Sequence, residues 1–296
     1  MKRGILYIWL GLMTVLVSQF GVVSPASAAD ETVESITLSP VSKRYELSSG
    51  DVKQDDFTIV NDGKVSYTFN VYAQPYFVKG ESYDPDYFSK SPNSDVNKWV
   101  SFEKTQYVLK PGESTLVPFT ITVPKTAAPG GHYGIVFSET QAPKNTTGGT
   151  SVARQKRVGM IIYATVKGQF ITGGEVVKHD TPFFQFKAPL EASITVKNNG
   201  NADFLAKTAI EVSDVFGNSK YSYMKEYAVL PETTRRMPLE WKDAPGIGLF
   251  KVTTTVDFLD DSKTSAQFVL MAPLWLYLVL AVAIMGGIVY LSQRER

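Results

Sequence analysis

The chain has no cysteine in 296 residues and only two histidines, His132 and His179. Without thiols there is no disulfide framework, no zinc cluster of the Cys/His type and no cysteine for a lipid to acylate. His132 sits in "PGGHYG" and reads as a structural residue at a strand start. His179 and Asp180 are neighbours on one strand, so their side chains point to opposite faces and make a poor catalytic pair. There is no Gly-x-Ser-x-Gly and no phosphate loop; "NTTGGTS" lacks the lysine and the following helix. Asp84 and Asp86 in "YDPDYF", and Asp260 and Asp261 in "FLDDSK", fall short of the roughly six oxygens a calcium loop supplies. No cofactor, no metal and no enzymatic activity is expected. An excess of one charge is lacking too. Thirty Lys and Arg against 29 Asp and Glu leave a net charge of +1, which gives no field for phosphate neutralisation and excludes nucleic acid as a partner class. Arg154, Lys156 and Arg157 read as a solvated strand entrance.

Long apolar runs are confined to the two ends. Lys2 and Arg3, the run "GILYIWLGLMTVLV" and the small residues "SPASAA" predict a signal peptide over 1–29. No charge falls between Lys263 and Arg294, and Pro273 to Leu291 is long enough, at about 1.5 Å per residue, to cross a bilayer core of about 30 Å. The expectation is a transmembrane helix over 272–292 and a cytoplasmic tail over 293–296. Trp275 and Tyr277 flank its outer rim, and Tyr290, Arg294 and Arg296 its inner side. The corresponding localisation is the cell membrane, single-pass, with the N-terminal part outside. "LPETT" at Leu230–Thr234 resembles a sortase signal, but Thr234 stands where glycine belongs and the hydrophobic segment is far downstream.

Between the ends, period-two alternation dominates and helical periodicity is scarce. "YVLKPGESTLVPFTITVPKTAAPGGHYGIVFSET" (107–140) returns in looser form as "YAVLPETTRRMPLEWKDAPGIGLFKVTTTVDF" (227–258). "FTIVNDGKVSYTFNVYA" is matched by "LEASITVKNNGNADFLAKTAIEVSD", an apolar strand ending in Asn, a Gly turn, then an alternating strand. Two segments repeated in the same order at roughly 120 to 140 residues mean duplicated domains and not a solenoid. Short strands with frequent turns predict an all-β chain of two tandem immunoglobulin-like β-sandwiches, over 30–172 and 173–271, plus the C-terminal transmembrane helix. "QAPKNTTGGTS" (141–151) is expected to be a long loop between two strands.

One segment breaks the rhythm. Pro75 to Lys104 is too long for a turn and is rich in aromatics, which argues for a functional role. Trp99 and Phe102 are assigned to the core. Tyr83, Tyr87 and Phe88, beside Asp, Pro and Ser, are assigned to the surface as candidate ligand contacts, because Tyr combines contact area with a polar tip.

The layout resembles the WxL-interacting proteins of Gram-positive cell surfaces, whose N-terminal module is catalogued as DUF916. The residues carrying the resemblance are "ITLSPVSKRYELSSGD", "FTIVNDGKVSYTFNVYA", "WVSFEKTQYVLKPGES", "VPFTITVPKTAAPGGHYGIVF" and "VGMIIYATVKG". It implies peptidoglycan association for the first domain and surface-protein partners for the second, with no catalytic residues. The expected function is therefore a membrane-anchored extracellular protein presenting immunoglobulin-like domains to cell-wall peptidoglycan or to surface proteins. The alternative is a structural spacer or assembly subunit of a cell-envelope complex. Glycan binding predicts an exposed aromatic strip, assembly an open sheet edge or apolar patch, and an enzyme a cleft of convergent acids.

Overall fold

The computed structural model describes residues 35–88, 91–141 and 155–294. The expected signal peptide, nearly all of the 141–151 loop and Arg296 lie outside them. Among the described residues the fold is all-β apart from a short 3-10 turn and one helix. In the first sandwich, a four-stranded sheet runs in the order β1 (Ile36–Ser39), β3 (Val52–Asn61), β9 (Ser114–Thr122), β7 (Val100–Ser101). Opposite it, five strands run β2 (Ser42–Leu47), β11 (Arg157–Val166), β10 (Gly130–Thr140), β4 (Tyr67–Pro75), β8 (Gln106–Leu109). Alternation decides which side chains meet between the sheets: Phe57 and Ile59 of β3, Val117 and Phe119 of β9, Phe69 of β4 and Ile162 of β11 form one core. A hairpin, β5 (Phe77–Lys79) and β6 (Asp84–Asp86), and the 3-10 turn Val96–Lys98 lie between β4 and β7.

The second sandwich repeats this order with fewer parts. Three strands, β12 (Gly174–Asp180), β14 (Leu190–Asn198) and β17 (Thr234–Trp241), oppose five. The five are β13 (Phe184–Gln185), β19 (Asp261–Met271), β18 (Gly248–Phe258), β15 (Phe204–Asp214) and β16 (Ser219–Val229). Its core includes Leu190, Ile194, Ile210, Met237 and Val252. In each sandwich the chain begins in one sheet and then crosses to pair in parallel with the last strand of the other, β2 with β11 and β13 with β19.

The Asn that ends the matched strand does the same work twice. Asn61 Nδ2 donates to the carbonyls of Val65 and Leu109 at 2.9 and 3.1 Å, while its Oδ1 accepts from Gly63 N–H. Asn198 donates to Ala202 and Val229 at 2.9 and 2.8 Å and accepts from Gly200. Both carboxamides are fully buried, and each satisfies backbone groups at a turn that no strand could reach. The turns that follow also agree: Gly112 and Glu232 both adopt left-handed backbone, φ 75° and 57°.

Helix α1 spans Leu274–Arg294. Tyr277 ties its first turn to the second sandwich, donating to Leu270 O at 2.7 Å and packing edge-on to Phe184 and Phe186. Trp275 is exposed. Side chains are described at 274–279 and 282–287, so those of Tyr290 and Arg294 lie outside the description. Among the described residues no helix is long and apolar enough to cross a membrane. The expected transmembrane span over 272–292, and the single-pass localisation inferred from it, are corrected accordingly.

Candidate functional site

The two sandwiches part company after their fourth matched strand, β4 in the first and β15 in the second. In the second, β15 turns into β16 through Val215–Asn218. The Asp214 carboxylate accepts from the N–H groups of Phe216 and Asn218 at 2.9 Å, and Gly217 takes φ 86°. The Asn218 side chain, its backbone and Lys220 hold the Asp214 carboxyl down at about 2. β16 then runs as the edge of its sheet. Its register sets Tyr221, Tyr223, Lys225 and Tyr227 opposite Val212, Ile210, Thr208 and Ala206 of β15, on the core side. The facing sheet ends at β17, so among the described residues no strand lies beneath these side chains.

A groove of about 510 Å3 results, with the four β16 side chains on one wall and Pro238 and Trp241 on the other. Tyr221 stacks on Trp241 at 5.7 Å, Trp241 stands edge-on to Phe250 at 5.5 Å, and Tyr227 donates to Pro238 O at 3.0 Å. Lys225 Nζ lies 4.9 Å from the Tyr227 ring centroid; among the described residues no carboxylate pairs with it. Lys242, by contrast, is 3.7 Å from Glu240.

The first sandwich closes the same place. β7 pairs antiparallel with β9, Val100 opposite Ile121 and Ser101 opposite Thr120, and Thr122 N–H donates to Trp99 O at 2.8 Å. Trp99 is buried with its ring 4.7 Å from His132, and Phe102 packs against the same core. The matched turns align Thr120 with Glu240 and Ile121 with Trp241. No strand occupies that side of β17 among the described residues.

The rest of the aromatic segment joins the two sandwiches. Tyr83, at φ 64°, turns out of the β5–β6 hairpin; its hydroxyl accepts from Leu230 N–H at 2.8 Å and bonds the Thr233 hydroxyl. Arg235 lies 4.1 Å over its ring and 4.9 Å over that of Tyr227, and Arg236 N–H donates to Glu81 O at 2.9 Å. Below this, Tyr133 donates to Asp203 at 3.0 Å and Arg44 pairs with the other carboxylate oxygen, the Asp203 side chain being 1% exposed. Burial, then the Asp203 carboxylate, push the Tyr133 phenol well above its ordinary range. Gly130 and Gly131 of "PGGHYG" permit the approach: a Cβ on Gly130 would stand 2.6 Å from Asn201 O.

These positions correct the site expected from sequence. Tyr83 is 8% exposed and belongs to the contact between the sandwiches. Tyr87 is half-buried, edge-on to Phe137 at 5.0 Å with Arg157 5.4 Å from its ring. Phe88 alone is open, at 87%. No aromatic strip forms there, because β10 is buried on both faces and the segment is what covers its outer face: Tyr133, Ile135 and Phe137 pack beneath Tyr76, Val78 and Tyr83. Asp86 is paired with Lys79 at 2.8 Å, and His179 Nδ1 bonds Thr254 Oγ1 at 2.9 Å. The groove residues carry no sequence signal, because β16 alternates like any other strand. The one usable signal was the short Val215–Asn218 hairpin where the first copy has a long insert.

No family model and no curated protein matches the chain, so its resemblance to the DUF916 module rests on the quoted residues alone. Solved structures similar to it include the class 5 fimbriae chaperone CfaA, at 12% identity and TM-score 0.41 over 79% of this chain and 99% of that one. Another is the E. coli chaperone DraB, at 12% and 0.40 over 79% and 97%. A third is the CsuC–CsuE chaperone–tip subunit pre-assembly complex of Acinetobacter baumannii, at 13% and 0.40 over 79% and 98%. At these scores no activity passes from them to this chain. With no membrane-crossing helix among the described residues, the expected function, a membrane-anchored protein presenting its domains to peptidoglycan, is withdrawn.

Proposed function

We propose that the chain is an assembly subunit for exported proteins: a non-catalytic pair of immunoglobulin-like sandwiches, held in fixed relation, that docks another polypeptide. One observation carries the reading. The second sandwich leaves the edges of β16 and β17 unpaired around an aromatic groove, where the first sandwich closes the equivalent edge with its own β7. Open edges are templates for another chain and are normally blunted. Pro238 and the Glu81 contact at Arg236 blunt β17 only as far as Pro238. The contact between the sandwiches, where the partly exposed Arg44 pairs with the buried Asp203, supports the edge from the first sandwich.

The test is removal of the chain from its cell and quantitation of the proteins retained at the cell surface. Depletion of particular exported proteins, restored by the parent chain, is the expected outcome. An unchanged surface complement contradicts the assembly role.

A further inference from the structure

We infer that the groove of the second sandwich takes an extended strand from another protein, antiparallel to Glu240–Lys242, as β7 lies on β9 in the first sandwich. This deepens the assembly reading and rests on it.

The first sandwich supplies the template. Its covering strand runs Trp99–Val100–Ser101, with Val100 opposite Ile121, Ser101 opposite Thr120, and Trp99 O accepting from Thr122 N–H. Carried across the repeat, the incoming strand meets Trp241, Glu240 and Lys242. It must carry a bulky apolar side chain to enter the groove, because Tyr221, Tyr223 and Tyr227 present ring faces and edges there. Trp241 reaches Phe250 from its own strand, as Trp99 reaches His132 in the first sandwich, so the deepest part is already filled. What stays open is the outer groove and the strand edge.

Charge adds a second requirement. Lys225 stands on the groove wall with no carboxylate in ion-pair contact among the described residues, whereas nearby Lys242 has Glu240, and Asp243 lines the same groove. The incoming strand therefore carries a carboxylate within reach of Lys225. The groove also continues an existing contact: Arg235 lies over both Tyr227, on its wall, and Tyr83, on the first sandwich. The occupant is an extended segment with an aromatic or β-branched residue and an acidic residue close by. Main-chain pairing supplies affinity and the groove supplies selectivity.

The probe is a fluorescent, end-blocked peptide of residues 95–104, DVNKWVSFEK, which holds the covering strand and Glu103. It is titrated against the full chain by anisotropy. Saturable binding is expected, weakened about tenfold or more in Tyr223→Ala and in Lys225→Glu. Both residues are exposed, so the variants keep the fold. A peptide with Glu103→Lys is expected to regain affinity for Lys225→Glu. No saturation at about 1 mM, or equal binding to parent and variants, overturns the inference. Self-association of the full chain abolished by Tyr223→Ala, without peptide uptake, places a second copy in the groove and overturns it too. A failed titration with a depleted cell surface removes the groove as the docking site and leaves the assembly role standing. An unchanged surface removes the assembly role.

Discussion

The first sandwich inserts a hairpin, a 3-10 turn and a short strand between β4 and β8; the second joins β15 to β16 through Val215–Asn218. Everything else in their strand orders corresponds, down to the buried Asn and the left-handed residue after the Pro of the next turn. The insert does two jobs at once. Val100 and Ser101 complete the smaller sheet, and Tyr83 and Glu81 reach the second sandwich. The comparison teaches that the first copy covers this edge with its own strand, while among the described residues the second copy has no cover of its own.

The covering strand is the first place to break the comparison. Trp99→Ala removes a buried anchor and should cost the first sandwich about 3–5 kcal/mol. Trp241→Ala, at a half-buried position, should cost the second clearly less. Denaturant midpoints read by two transitions check both; equal losses would mean that the two edges are equally closed.

The shared Asn should give matching effects. Asn61→Ala and Asn198→Ala each strand buried carbonyls and a turn N–H, at a cost of about 2–3 kcal/mol. A loss confined to one variant would show that the repeat is a likeness of sequence without a likeness of energetics.

A histidine-linked stabilisation that is lost as pH rises should appear only in the first sandwich, since burial lowers the pKa of His179 in the second. His132 Nδ1 bonds the Asp95 carboxylate at 2.8 Å and Nε2 the Ala128 carbonyl at 2.9 Å. Both partners accept, so the protonated ring, donating from both nitrogens, satisfies them together. Burial pushes its pKa down, but Asp95 and the Ala128 carbonyl outweigh this and hold it above the ordinary value of 6.5. A raised folded pKa means stabilisation that is complete below the unfolded pKa and is lost as pH rises through the folded one. The stability difference between parent and His132→Gln should therefore shrink as pH rises. A difference that grows would contradict the assignment. Phe250 occupies the matching position in the second sandwich, which should show no such dependence.

The smallest effect lies in the turns. Gly112→Ala places a Cβ residue at φ 75° with no neighbour within 4 Å, so only backbone strain opposes it, at about 1 kcal/mol. Glu232→Gly, at φ 57°, should stabilise by about 0.5 kcal/mol. Thermal midpoints of the two variants should move in opposite directions.

Local chemistry made much of the fold legible. Alternation marked the strands, the "NDG" and "NNG" turns placed the buried Asn, and the repeat gave the all-β sandwich class. What was not legible depends on residues far apart. Tyr83 read as a surface tyrosine because its partners, Leu230 and Thr233, lie about 150 positions away. Gly130 and Gly131 read as a turn, although they admit Asn201 of the other sandwich. The groove was invisible because an uncovered edge is defined by a strand that does not arrive, and no residue pattern marks that. The apolar C-terminal run did form a helix, but apolar composition alone was made to carry the anchor and the localisation.

The most direct measurement is amide hydrogen exchange of the full chain at Thr122 against Glu240 and Lys242. Thr122 N–H is held by Trp99 O, while the other two lie on the uncovered side of β17 or just beyond it. The account predicts that Glu240 and Lys242 exchange faster than Thr122 by about a thousandfold or more, and slow when the 95–104 peptide is added. Equal protection at all three in the free protein, or no change with saturating peptide, would contradict it.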